Sequence, residues 1–111
     1  MPFEFGDVVL VPFPFTNQTS SKRRPAVVVS GRAYNVGRSD LVMMPITSQV
    51  RQVFGVGDIA VQDWRQAGLL APSAVKPVVM TLEQGMVIRR LGAMSMMDVA
   101  ALRGAIARLL A

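Results

Sequence analysis

The sequence contains no cysteine and no histidine in its 111 residues. Without cysteine there is neither a disulfide framework nor a thiolate metal site, and a reducing cytoplasm fits such a chain. Without histidine the usual acid/base group of neutral-pH chemistry is missing, so catalysis would have to run on arginine, lysine, tyrosine, hydroxyls or carboxylates. Acidic charge is scarce as well. Seven Asp and Glu stand against twelve Lys and Arg, for a formal charge of +5 and a pI near 11.1. That imbalance favours a polyanionic partner, nucleic acid or an acidic polypeptide, and net charge does not choose between them. No apolar run approaches the roughly 20 residues that span a bilayer. Met1-Pro2-Phe3-Glu4-Phe5 lacks the basic region and apolar run of a signal peptide. No repeat, low-complexity segment or linker divides the chain, and its length suits one domain over residues 1–111. A soluble, cytoplasmic, single-domain protein is expected.

What the sequence does have is a set of short hydrophobic runs. Val8-Val9-Leu10-Val11 reads as a buried strand and Ala26-Val27-Val28-Val29-Ser30 as a second. Between them lie Pro12, Pro14 and the segment Ser20-Ser21-Lys22-Arg23-Arg24-Pro25. Pro25 drives Arg24 out of the α region, so the last guanidinium leaves the loop where the next strand begins. Two readings of this basic run stand side by side: an anion-holding loop, or the solvated loop tip that most exposed charge runs form. Gly31 to Ser39 is turn-rich around Tyr34, and a third strand at Leu41-Val42-Met43-Met44 runs into Pro45-Ile46-Thr47-Ser48. Three such strands, with no room between them for crossover helices, point to a small antiparallel barrel or half-barrel.

Beyond it, Gln49 to Gly57 reads as a surface loop and Asp58-Ile59-Ala60-Val61 as a short strand. Asp63 is placed to cap one helical turn that Gly68 ends. Trp64 within it reads as a core anchor more readily than as a base-stacking platform, since no second aromatic lies nearby. Ala74 to Leu82 is a strand interrupted at Pro77, and Val87 to Gly92 is a last extended segment with Arg89 and Arg90 in solvent. Ser95 and Asp98 form a variant capping box for a final helix with an apolar stripe at Val99, Leu102, Ile106 and Leu109. Gly104 suggests a close packing contact there, and Met96 and Met97 are expected to fill space at the helix start.

Gly6 to Thr16, continued through Lys22-Arg23-Arg24-Pro25-Ala26-Val27-Val28-Val29-Ser30, resembles the MazF/PemK-like growth-inhibitor family, the toxins of bacterial type II toxin–antitoxin modules. The resemblance continues at Pro45-Ile46-Thr47-Ser48-Gln49, at Gly68-Leu69-Leu70-Ala71-Pro72-Ser73 and at Arg89-Arg90-Leu91-Gly92, in order over nearly the whole chain. It implies a CcdB/MazF-like compact antiparallel β-barrel with a C-terminal α-helix. It also implies a metal-independent endoribonuclease without a cofactor, cutting single-stranded RNA by 2′-OH attack to leave 2′,3′-cyclic phosphate and 5′-OH ends. The implied partners are single-stranded RNA, a cognate antitoxin with an acidic, partly disordered segment, and a second copy in a homodimer.

The family's loop arginine before proline falls on Arg24 and its strand-end hydroxyl on Thr47, which makes these two the expected catalytic residues. Lys22, Arg23, Ser48, Gln49, Arg51 and Lys76 are then expected RNA contacts. An arginine fork suits a phosphate bidentately and is a better electrostatic stabiliser than proton acceptor. The sequence departs from members resembling Kid/PemK in two places: Lys76 and Val78 stand where those carry an arginine and an aspartate, and their loop histidine has no counterpart in Asn17 to Ser21. Two other functions stay open: a non-catalytic CcdB-like gyrase poison, and a degenerate member that only binds antitoxin or RNA.

Overall fold

The computed structural model describes residues 2–13, 22–50 and 59–110. Strand β1 (Asp7–Phe13) buries Val8, Val9, Val11 and Phe13, residues that point to opposite faces, which is why its sequence is a continuous apolar run rather than an alternating one. It pairs antiparallel with β2 (Lys22–Val28), and β2 with β3 (Asp40–Thr47). The free edge of β3 is shared by two short strands. Of these, β5 (Ser73–Val75) lies against Ile46 and Thr47, and β6 (Met80–Glu83) against Asp40 to Met43. Outside β5 lies β4 (Ile59–Val61), while β7 (Arg89–Ala93) returns to the other side of β1. The order is therefore β4-β5-β3-β2-β1-β7, with β6 also on β3. Consecutive strands β6 and β7 sit at opposite edges, joined by a stretch that starts with the 3₁₀ turn Gln84–Met86. So short a link requires the sheet to curl, giving the predicted half-barrel.

The two faces of the curled sheet carry separate cores. On one, Val8, Val27, Met44, Ile46 and Val75 pack under helix α2 (Met96–Leu110), with Leu102 1% exposed and Val99, Ile106 and Trp64 around it. Each large apolar side chain buried this way contributes about 2 kcal/mol. On the other, Val9, Val11, Ala26, Val28, Leu41 and Met43 are closed over by Phe3, Met80, Leu82 and Val87.

Prolines occur at three places in the central strands, where the missing N–H ordinarily breaks a ladder. Here the ladder spares them. The Leu10 carbonyl accepts from Ile88 N–H on the β7 side, so Leu10 and its partner Pro25 are a non-hydrogen-bonded pair. The donor Pro25 lacks would face β3 one residue past the last β2–β3 pair, Ala26 with Pro45. By the same alternation Pro12 looks toward β7 beyond its last partner, and Pro45 looks into the gap between β6 and β5, where its carbonyl accepts from Lys76 N–H.

Several expectations need correction. The run Lys22-Arg23-Arg24 begins β2 and is not a loop tip, because Phe13, Pro12 and Val11 pair with it residue by residue. The turn-rich segment holds a helix, α1 (Arg32–Gly37), anchored by the buried Asn35, whose side-chain amide donates to the Phe3 and Ser30 carbonyls. The interrupted strand is two strands, turned by a Val78 N–H to Lys76 carbonyl bond around Pro77. Half of the capping box forms. Ser95 Oγ accepts from Asp98 N–H, but the Asp98 carboxylate, 2% exposed, accepts instead from the backbone N–H groups of Gln62 and Asp63 at 3.0 and 2.9 Å. Met96 and Met97 are 90% and 59% exposed and fill no core space. A Cβ on Gly104 would meet only an ordinary contact with Arg108, so packing does not explain that glycine. Arg90 is not simply solvated: it pairs with Asp7 at 2.9 Å and covers the Phe3 ring.

Candidate functional site

Side chains alternate along a strand, so the basic run that opens β2 is divided between the two faces of the sheet. Arg24 follows the parity of Ala26 and Val28, and Arg23 that of Val27. On the Arg24 side the β2–β3 register, continued two residues past Ala26 and Pro45, sets Arg24 opposite Thr47. Both line a cavity of about 340 Å³ together with Gln49, Lys76, Phe13 and Val78. The Thr47 hydroxyl accepts the Gln49 backbone N–H at 3.1 Å, which fixes its oxygen and leaves the hydroxyl proton for a ligand oxygen. Lys76 enters from β5 through its backbone bond to Pro45. The cavity wall holds a guanidinium, an ammonium, a hydroxyl and an amide, and no carboxylate among the described residues. Such a set holds a phosphate and stabilises charge developing on it.

On the opposite face a cavity of about 650 Å³ is bordered by Lys22, Arg23, Arg24 and Ser48. Its floor is Leu10, Pro25, Ile46 and Leu91, and its far wall is the Gly68–Ala71 turn with Arg89. Arg24 and Ile46 belong to both cavities. The wall turn is held by close backbone approach. A Cβ on Gly68, at φ +81°, would lie 2.1 Å from the Leu91 carbonyl oxygen, and one on Gly92 would lie 2.7 Å from that of Ala67. Away from both cavities, Arg38 is held more firmly protonated than usual, first by its hydrogen bond to Asp40 and then by Tyr34.

Thus Arg24, Thr47, Gln49 and Lys76 line the first cavity, Lys22, Arg23 and Ser48 line the second, and Arg51 lies outside the described residues. Sequence reasoning missed Arg89. Only the placement of β7 beside β1, a pairing across most of the chain, puts it in a cavity. Among the described residues no group of three or more His, Cys, Asp or Glu side chains comes together in a way that would hold a metal ion.

The profile of the PemK-like, MazF-like toxin of type II toxin–antitoxin systems matches residues 4–110. The chain belongs to this family. Solved MazF structures share the toxin's fold. MazF of Deinococcus radiodurans superposes with a TM-score of 0.76 at 20% identity, covering 99% of this chain and 97% of that one. The Mycobacterium tuberculosis toxin MazF-mt6 gives 0.75 at 20% identity over 94% of this chain and 95% of that one. A mycobacterial endoribonuclease in complex with its cognate antitoxin gives 0.75 at 17% identity, over 98% and 93%. At these identities the likeness is one of fold. No curated protein matches the toxin sequence significantly. No described helix of this MazF-like chain is long and apolar enough to cross a membrane.

Proposed function

We propose that this MazF/PemK-like toxin is an endoribonuclease that cuts single-stranded RNA with its own side chains, the Arg24–Thr47 cavity being the reaction site. The observation that supports this reading is the β2–β3 register, which sets a guanidinium and a fixed hydroxyl across one cavity of about 340 Å³ with Lys76 beside them. The 2′-oxygen attacks the adjacent phosphorus as the bond to the 5′-oxygen breaks, leaving a 2′,3′-cyclic phosphate and a 5′-OH. Arg24 forks onto the non-bridging oxygens, where charge accumulates, and Thr47 donates its proton to one of them. The 2′ proton leaves to solvent hydroxide, because no carboxylate or imidazole among the described residues lines the cavity, and the departing 5′-oxygen takes a proton from water. Single-stranded RNA is the form whose base edges and 2′-hydroxyls are open to a protein.

The basic end of the sheet also suits an acidic antitoxin segment, so RNA and antitoxin compete for it. Two copies form a homodimer, and the protein works in the cytoplasm. Co-binding of RNA and antitoxin with undiminished affinity for both would rule the competition out.

A second reading is favoured by Val78. It lines the reaction cavity where Kid/PemK-like members have an aspartate, which fits a toxin that binds without cutting. One experiment separates the two. Purified protein is incubated with a long single-stranded RNA in EDTA beside Arg24→Ala, and fragment ends are mapped. Discrete cuts with cyclic-phosphate and 5′-OH ends, absent in the variant, are expected; an uncut RNA with well-folded protein leaves the binding-only reading.

A further inference from the structure

Arg89 opens β7 opposite Leu10, which in turn lies opposite Pro25, so the three share one row across β7, β1 and β2 on the face away from Thr47. Arg23 lies on the same face, two residues along β2, about 12 Å from Arg89 at Cα by strand spacing and rise. Between the two guanidinium-bearing strands is an apolar floor, with the Ser48 hydroxyl at the rim and Leu70, 99% exposed, on the wall turn. No acidic residue among the described residues lines this cavity. Arg24 and Ile46 line both this cavity and the reaction cavity.

Building on the ribonuclease reading, we propose that this second cavity is a nucleotide subsite, in which Arg89 and Arg23 hold the phosphates flanking the scissile one and Leu70 covers the face of the enclosed base. The RNA strand then rounds the open end of β2 and passes from one face of the sheet to the other, with Arg24 at the bend. A volume of about 650 Å³ accommodates one nucleotide. Apolar side chains pack on base faces where aromatics are absent. A peptide bound as an added strand is disfavoured by the backbone. Beside the cavity the edge of β7 is covered by the turn, with Gly68 on the Leu91 carbonyl and Ala67 against Gly92. Arg90 provides an internal control: it is the next residue, faces the other way and pairs with Asp7.

The test is a truncation cycle. Binding is measured by fluorescence anisotropy with the mapped cleavage-site oligonucleotide carrying one 2′-deoxy sugar at the scissile position, full length and shortened by one nucleotide at either end. Wild type, Arg89→Gln, Leu70→Ser and Arg90→Gln are compared. Arg89→Gln is expected to weaken full-length RNA about tenfold and to lower the salt slope by about 0.7. Removing the nucleotide at one end should cost wild type a similar factor and Arg89→Gln almost nothing, with Arg90→Gln behaving as wild type. Equal losses in Arg89→Gln and Arg90→Gln, or a truncation penalty unchanged by Arg89→Gln, overturn the subsite while leaving the ribonuclease reading intact. Loss confined to an oligoglutamate probe assigns the cavity to an acidic peptide and also overturns it. Wild-type protein that neither cuts nor binds RNA removes the ribonuclease reading, and the subsite with it.

Discussion

The two faces of the sheet meet at the start of β2, where both cavities touch Arg24, and are otherwise built differently. The Thr47 face is walled by the ladder itself: β2, β3 and the first residues after β5 bring Arg24, Thr47 and Lys76 together through backbone pairing. The opposite face is closed by the Gly68–Ala71 turn, which no strand pairing holds. That turn is positioned by two glycines against β7 and by the Asp98 carboxylate reaching back from α2 to the backbone of Gln62 and Asp63. One face therefore takes its geometry from the register of the sheet and the other from tertiary packing of a turn. Chemistry needing fixed angles is better served by the first, and accommodation of a bulky group by the second.

Four substitutions test that contrast, in falling order of effect. Arg24→Ala lies on both faces and should lower cleavage about 10³-fold, measured as single-turnover rate on a fixed RNA. Gly68→Ala puts a methyl group on the Leu91 carbonyl at a positive φ and should cost about 3 kcal/mol in urea unfolding. Its cleavage rate at saturating RNA, under conditions where it is folded, should stay near wild type, because the ladder face does not use the turn. An equal collapse of that rate would show that the two faces are not separable. Thr47→Val keeps the strand and removes the proton donor, for an expected loss of about 30-fold with only a small fall in thermal midpoint from the lost, exposed Gln49 N–H bond. Val78→Asp should have the smallest effect on rate at neutral pH, under tenfold, but should change its form. Wild-type cleavage, without a titrating base in the cavity, is expected to rise about tenfold per pH unit from 5 to 9, and the variant to flatten above the pKa of the new carboxyl. A bell-shaped wild-type profile would reveal a base outside the described residues.

The parts of the molecule governed by short-range pattern were legible in the sequence. Val8–Val11, Ala26–Val28 and Leu41–Met44 are strands, and the stripe Val99, Leu102, Ile106 identifies the helix and its buried side, whereas Leu109, expected on the same stripe, is exposed near the helix end. The candidate pair Arg24 and Thr47 came from resemblance, and the register explains why those two positions go together. Composition misled at Lys22-Arg23-Arg24 about the backbone rather than the side chains: Lys22 and Arg23 are exposed, as charged residues usually are, yet the run pairs with β1, and the half-buried Arg24 lines both cavities. Arg89 and Asp98 were illegible for a common reason. What each does depends on a segment far away in sequence, β1 for Arg89 and the Gln62–Asp63 turn for Asp98. Met96 and Met97 have the hydrophobicity of core residues and lie outside the stripe that faces the sheet.

The place of β7 beside β1 bears on how the protein reaches its native state. Asp7 and Arg90, joined across that pairing, are 83 residues apart in sequence. The closure of so long a loop comes late and slowly, and folding dominated by such contacts runs on the millisecond-to-second scale. Stopped-flow refolding in microseconds would contradict this. On the ribosome, where synthesis adds about 5–20 residues per second, β1 emerges seconds before its outer neighbour exists. The early strands can zip together, but the face that Arg89 completes appears only once β7 has been made.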